Sequence, residues 1–145
     1  MMWRWFKTIL LGAVLAVMGA LALPAQEPGL TVHVFWQEGC PHCARAKEAL
    51  AALDAPDVTI NLIELGVSED NDALFAATLD HFGVDRGAVP FVVIGGDHAI
   101  GFTAGGLTEG RYTAMIDRCR DVPCPDPVGT LIAGQAPVDT PPATD

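Results

Sequence analysis

Two cysteines separated by two residues give this sequence its clearest chemical signal. Cys40 and Cys43 enclose the dipeptide Pro41-His42. Thiol–disulfide exchange needs an attacking thiolate and a second thiol close enough to resolve the mixed disulfide, and this spacing supplies both. We therefore predict that Cys40 and Cys43 form a redox-active pair, and we expect no cofactor beyond their own disulfide.

The residues around the pair favour different roles for the two sulfurs. A β-branched, aromatic segment ends just before Cys40 and helical spacing begins there, so Cys40 is predicted at a helix N-terminus. Free N–H groups and the helix dipole favour a thiolate at that position. Pro41 fits the first turn of the helix, and His42 can bring an N–H or a positive charge to the sulfur. Cys43 falls on the apolar side and is the predicted resolving thiol.

Two other interpretations of this pair stay open. The two cysteines could form a purely structural disulfide. Alternatively, Cys40, His42 and Cys43 could hold a soft ion such as Cu(I) or Zn(II) in a module that binds or senses without turning anything over. The other three histidines are scattered along the chain and complete no shell of ligands. Redox exchange is therefore the main prediction, and no metal site is expected.

A second pair of cysteines lies near the end of the predicted domain. Cys119 and Cys124 are separated by four residues. Four cysteines allow three pairings, of which two local disulfides are the simplest. We expect Cys119 and Cys124 to form a structural disulfide, with a second redox relay or two free thiols as the alternatives.

The elements that must position these cysteines can be read from hydrophobic periodicity between residues 30 and 124. Four strands and three helices are indicated in the order β-α-β-α-β-β-α. The first two strands should be parallel and the last two antiparallel, giving an α/β fold with a four-stranded mixed sheet flanked by helices. The second strand is apolar on nearly both faces, which predicts a central place in the sheet. The predicted strands are Leu30–Trp36, Val58–Leu65, Val89–Ile94 and His98–Phe102.

The two ends of the chain differ from this domain. Residues 1–25 carry Arg4 and Lys7, then an apolar run from Ile9 to Leu23, then small residues, which is the order of a signal peptide. The run is short of the ~20 residues of a spanning helix, so an uncleaved N-terminal anchor is the alternative. Both place the remainder outside the cytoplasm, in the periplasm by our expectation. Residues 125–145 are rich in proline and alanine and are predicted to be a flexible tail.

Charge excludes one class of partner. The chain has 18 acidic and 8 basic residues and a net charge of −10. Without Arg4 and Lys7, 6 basic residues remain against the 18 acidic ones, a net charge of −12. Because nucleic-acid binding needs clustered lysine and arginine, no nucleic-acid partner is expected.

Two motifs resemble those of the thioredoxin superfamily. The segment from Phe35 through Cys40-Pro41-His42-Cys43 is similar to the strand-to-active-site segment of that superfamily, and Val89-Pro90-Phe91 is similar to its X–Pro loop. The resemblance covers roughly residues 30–119. It implies a thioredoxin-like fold for residues 30–124. It also implies a cis proline that faces the cysteines, and a substrate-binding role for Val89 and Pro90, which Trp36 is close enough to share.

Details of the resemblance point to particular branches. The Pro41-His42 dipeptide is similar to that of the oxidising periplasmic DsbA enzymes, whereas the compact size looks more like glutaredoxin. The resemblance implies an exported thiol–disulfide oxidoreductase acting on cysteine-containing proteins, with a recycling partner such as a membrane protein. A disulfide donor is weakly favoured over a reductase. Phe102-Thr103 stands where glutaredoxins carry the residues that hold glutathione, so glutathione binding is not expected.

Overall fold

A computed structural model describes residues 29–53, 55–103 and 107–135 of the chain. The predicted signal segment, residues 1–25, lies outside the described residues. Within them, no helix combines the length and the apolar character needed to cross a membrane. The strands are β1 (Leu30–Trp36), β2 (Val58–Glu64), β3 (Phe91–Ile94) and β4 (Asp97–Ile100), and the helices are α1 (Pro41–Ala51), α2 (Glu69–Phe82), α3 (Leu107–Asp121) and α4 (Pro127–Gln135).

The four strands form one mixed sheet in the order β2-β1-β3-β4. β1 and β2 are parallel because α1 crosses between them, while β3 is antiparallel to both β1 and β4. The predicted fold class and strand directions are confirmed. The expectation that β2 is central was wrong, because β2 is an edge strand. Its side chain at Leu62 is 49% exposed, so the apolar run overstated how much of the strand is covered.

Alternation along β1 and β3 divides the core between the two faces of the sheet. Val32 and Val34 point to the face covered by α1 and α3, whereas Phe35 points to the face covered by α2 and α4. The same alternation sends Val92 to the first face and Phe91 to the second. This period of two is what a pleated strand imposes, and it leaves both faces of the central strands buried.

The C-terminal segment departs from the sequence prediction. Residues 125–145 were expected to form a flexible tail, but residues 127–135 form helix α4, which packs against α2. Val128 of α4 is fully buried beside Phe35 and Phe91. The proline-rich composition misled the prediction because Pro127 occupies the start of the helix, where its missing N–H costs no hydrogen bond. The domain therefore extends past residue 124 to at least Gln135.

Local signals fix the ends of α2. Ser68 is the N-cap, and its hydroxyl oxygen accepts a hydrogen bond from the Asn71 amide at 3.1 Å. Gly83 closes the helix in the left-handed conformation, at φ 64°. Because both signals are short-range, the two ends of this helix can be predicted from the residues around them.

Candidate active site

The first cysteine pair lies where β1 ends and α1 begins. Cys40 and Cys43 are joined by a disulfide. Cys40 is the N-cap of α1, and its sulfur accepts a hydrogen bond from the Cys43 amide at 3.1 Å. Cys43 is 1% exposed, while Cys40 is half-buried at the surface. The amide and the helix dipole both stabilise negative charge on Cys40, and access is limited to that sulfur.

A loop from the other side of the sheet holds His42. The imidazole Nδ1–H donates to the carbonyl oxygen of Phe102 at 3.1 Å. Phe102 is anchored in the core beside Tyr112, whose burial raises the pKa of its phenol to about 12. This bond ties the imidazole ring to the loop that follows β4. This contact was not predictable from local sequence patterns, because it joins residues 60 positions apart.

The Val89-Pro90 segment borders the disulfide. Its peptide bond is cis, and the carbonyl oxygen of Val89 lies 3.9 Å from the sulfur of Cys40. Pro90 is buried, and its own carbonyl oxygen accepts the Gly101 amide at 2.8 Å. The loops before β3 and after β4 therefore meet beside the cysteine pair, together with the loop that follows β1.

Trp36 and Lys47 line an open pocket on the other side of Cys40. The pocket has a volume of about 400 Å³, and its wall runs from the end of β1 along the first turns of α1. The Nζ atom of Lys47 lies 3.3 Å from the centroid of the Trp36 ring, a cation–π contact. Sequence reasoning singled out Trp36 but missed Lys47. Lys47 follows Cys40 by seven residues, a helical spacing that places both on one face of α1. This spacing is the sequence signal that could have identified Lys47.

The second cysteine pair lies at the other end of the sheet. Cys119 and Cys124 are joined by a disulfide that packs against Gly95 in the turn between β3 and β4. A Cβ atom on Gly95 would come within 2.6 Å of the Cys124 Cβ, and Gly95 also has φ of 59°, so the glycine is required twice. Cys119 and Cys124 are therefore remote from the first pair. The other predicted site residues lie around Cys40: Trp36, Pro41, His42, Cys43, Val89 and Pro90.

His33 on β1 is buried with two hydrogen-bond partners. Its Nε2–H donates to the carboxylate of Asp126 at 2.9 Å, and its Nδ1 accepts from the Asn61 amide at 3.1 Å. Burial lowers the pKa of His33, with Asp126 opposing that shift in part. The neutral ring satisfies both partners, whereas a proton on Nδ1 would oppose the Asn61 donor.

Among residues 29–53, 55–103 and 107–135, no group of three histidine, cysteine or acidic side chains is placed to hold a metal ion. Both active-site sulfurs are in a disulfide, and the Nδ1 atom of His42 is engaged by Phe102. What this site can do chemically is accept or donate two electrons through the Cys40–Cys43 bond.

Comparison with known proteins gives one family match. Residues 32–99 match the family model for glutaredoxin. A glutaredoxin from Archaeoglobus fulgidus is 24% identical, with 59% of this chain and 84% of that chain covered and a TM-score of 0.45. The buckwheat glutaredoxin, solved as a complex with glutathione, is 31% identical, with 63% of this chain and 80% of that chain covered and a TM-score of 0.48. The comparison with curated proteins finds no significant match.

Proposed function

Because the chain belongs to the thioredoxin-like superfamily and carries a glutaredoxin-like thiol redox domain, we propose that it is an exported oxidoreductase that exchanges disulfides with cysteine-containing proteins. One observation carries this proposal. The Cys40 sulfur sits at a helix N-terminus with an amide donor 3.1 Å away, while its partner Cys43 is buried. An inert disulfide would need neither the difference in access nor the stabilisation of one thiolate.

The exchange can be written with its electrons and protons balanced. A thiolate of a reduced protein attacks the Cys40 sulfur, the Cys40–Cys43 bond breaks, and Cys43 leaves as a thiolate that takes up a proton. A second thiolate of the same substrate then attacks the substrate sulfur of the mixed disulfide and releases Cys40 as a thiolate. The substrate dithiol loses two electrons and two protons. The domain gains the two electrons and, on Cys43, one proton, and the other proton goes to solvent. A recycling partner, for which a membrane protein is our candidate, must remove the electrons.

The direction of exchange follows from which thiolate is stabilised. A stabilised Cys40 thiolate is a good leaving group, and it makes the reduced form of the pair more stable than an ordinary dithiol. Both effects favour donating a disulfide to a substrate. We therefore propose the donor direction in preference to that of a reductase.

Residues of the adjoining loops have proposed roles in binding. The Val89 carbonyl and Pro90 border Cys40 from one side and Trp36 from the other, so an extended substrate chain would cross the Cys40 sulfur between them. For His42, two residues after Cys40 along the chain, the proposed role is electrostatic stabilisation of the Cys40 thiolate. Nothing in this reaction calls for a cofactor or metal ion, and the acidic surface disfavours nucleic acid as a partner.

Export is proposed from the N-terminal sequence. Residues 1–25 have the order of a signal peptide, and a periplasmic location would supply the oxidising environment in which both disulfides persist. An intact-mass measurement of the protein recovered from the periplasm tests this. Loss of about the first 25 residues is expected for a signal peptide, whereas a full-length mass in the membrane fraction would indicate an anchor.

The reduction potential of the Cys40–Cys43 pair tests the proposed activity directly. The protein is equilibrated in defined thiol–disulfide buffers and the fraction of reduced pair is measured, with a Cys40→Ser variant as the blank. A potential well above that of ordinary structural disulfides, which lie below about −300 mV, supports a disulfide donor. A strongly reducing value would make the protein a reductase. The absence of any reversible couple would remove the oxidoreductase proposal.

A further inference from the structure

The pocket beside Cys40 has features that thiol exchange alone does not explain. It is open, about 400 Å³ in volume, and its lining includes Cys40 and one face of the first turns of α1. Ala44 and Lys47 follow Cys40 at helical spacing along this face, and Trp36, in contact with Lys47, is also part of the lining. The complete lining is Trp36, Gln37, Glu38, Gly39, Cys40, Pro41, Ala44 and Lys47.

Lys47 is a cation without a carboxylate partner in the described part of the chain. Its ammonium group contacts the face of the Trp36 ring at 3.3 Å, and no salt bridge or hydrogen bond involves it. By contrast, Arg118 and Arg120 are both paired with aspartates. Because an ammonium has three N–H donors and the ring can take one, donors remain available on the pocket side of Lys47.

Glu38 lines the same pocket and must be weighed against Lys47. Glu38 is exposed, so water screens its charge, whereas Lys47 is half-buried against an aromatic ring. Charges interact more strongly where water is partly excluded. The attraction of Lys47 for an anion inside the pocket therefore outweighs the repulsion from Glu38.

We propose that this pocket binds an acidic side chain of the substrate polypeptide, and that Lys47 is the residue that selects it. This inference rests on the proposed function and names the class of cysteine-containing protein that the site prefers. Seven residues of helix place the Lys47 backbone ~10 Å from that of Cys40, and an extended chain rises ~3.3 Å per residue. Since the Lys47 side chain leans back over Trp36, the acidic residue falls two or three positions from the reactive cysteine.

Three matched peptides test the proposal. Each is a reduced dithiol peptide with Glu, Gln or Lys three positions from its more exposed cysteine, and the second-order rate constant for its oxidation by the oxidised protein is measured. The natural protein should oxidise the Glu peptide roughly fivefold faster than the Gln peptide, the size of one partly screened ion pair. Intrinsic differences between the peptides cancel when this ratio is compared across protein variants.

Four forms of the protein distinguish a local contact between Lys47 and the peptide from a general effect of the protein's net charge. The Glu-to-Gln rate ratio should fall to about 1 in Lys47→Met, and the preference should turn to the Lys peptide in Lys47→Glu. Arg45→Met is the matched control because it removes one positive charge two residues away, on the opposite side of α1, and it should keep the full ratio. The Gln peptide reports whether each variant still folds and exchanges.

Each outcome has a distinct meaning. A ratio that is unchanged in Lys47→Met, or lost equally in Arg45→Met, overturns the assignment of Lys47. Exchange with all three peptides at equal rates overturns the acidic preference and leaves the proposed oxidoreductase intact. No exchange with any peptide overturns both proposals.

Discussion

The two disulfides of this protein lie at opposite ends of the same sheet and at opposite ends of helices. Cys40 begins α1, where unpaired amides and the positive end of the helix dipole stabilise a thiolate. Cys119 lies in the last turn of α3, where unpaired carbonyls and the negative end of the dipole oppose one. The same covalent bond is thereby placed in two electrostatic settings, one that favours its reduction and one that resists it.

Their surroundings differ in the same sense. The Cys40 sulfur opens onto a pocket, and few groups would have to move for a substrate to reach it. The second disulfide belongs to a segment from Cys119 to Asp126, which we call the clasp. The clasp packs against Gly95, and Asp126 binds the buried His33 and caps α4 through the Gly129 amide. Cysteine spacing therefore does not by itself set the environment of a disulfide, because position on a helix and packing differ between the two pairs.

The largest expected difference between the two pairs is in exchange activity. Cys40→Ser removes the attacked sulfur, so oxidation of a dithiol peptide should fall at least ~1000-fold. A Cys119→Ser/Cys124→Ser double variant should keep the rate within about twofold, since its sulfurs are remote from the pocket. The assay is the initial rate of peptide thiol loss. A loss of more than tenfold in the double variant would mean that the second pair relays electrons.

The two pairs should also differ in reduction potential. Helix-end interactions are worth up to about 2 kcal/mol and have opposite signs at the two sites. We expect the Cys40–Cys43 potential to be the more oxidising by about 60 mV, which corresponds to about 3 kcal/mol. Alkylation of free thiols across a series of redox buffers, read by peptide mass, gives both values from one sample. Equal potentials would contradict the electrostatic comparison.

Removing each disulfide should affect folding stability unequally. A disulfide that closes a loop as short as that between Cys119 and Cys124 stabilises the folded state by about 2 kcal/mol. The Cys119→Ser/Cys124→Ser variant should lose about that much free energy of unfolding in urea. The matched Cys40→Ser/Cys43→Ser variant should lose less, because an oxidising disulfide stabilises its folded protein less. The reverse order would show that the clasp is not a structural staple.

The smallest expected effect is the response of the clasp to pH. Burial lowers the pKa of His33 below 6.5, so protonation costs more in the folded than in the unfolded state. The contribution of neutral His33 to the free energy of unfolding is present in full above pH 6.5. It is lost as the pH falls through the lower pKa of the folded state, by at most about 1.4 kcal/mol per pH unit. Urea unfolding at pH 7.5 and 5.5 should show this loss, and His33→Gln should reduce it. An identical loss in the variant would assign the effect to other groups.

Much of the fold was predictable because its signals are local. The β-branched and aromatic run of β1, the serine at the start of α2 and Gly83 at its end all act over a few residues. The edge position of β2 was not predictable from its own residues. An apolar strand has the same sequence pattern whether it has one neighbouring strand or two. Only the assembled sheet shows that β2 lies at an edge and that the side chain of Leu62 is exposed.

The active site was likewise predictable only in part. The motif placed Cys40 at a helix N-terminus, and the structure bears out that position together with a buried Cys43. The contact between His42 and the Phe102 carbonyl, and the packing of Lys47 on Trp36, were missed. Each of these contacts requires a helix and a neighbouring strand or loop to be brought into register, which no short segment encodes.

By itself, the sequence determined the chemistry of this protein: two thiols at the start of a helix, and the strands and helices that carry them. Local hydrogen bonding and the period of each element are enough for that. The tertiary structure alone decided which surface surrounds those thiols, and that residues 127–135 fold as a helix over Val128 instead of trailing as a tail. The free energy of that helix comes from burial against Phe35 and Phe91, which lie far from it along the chain.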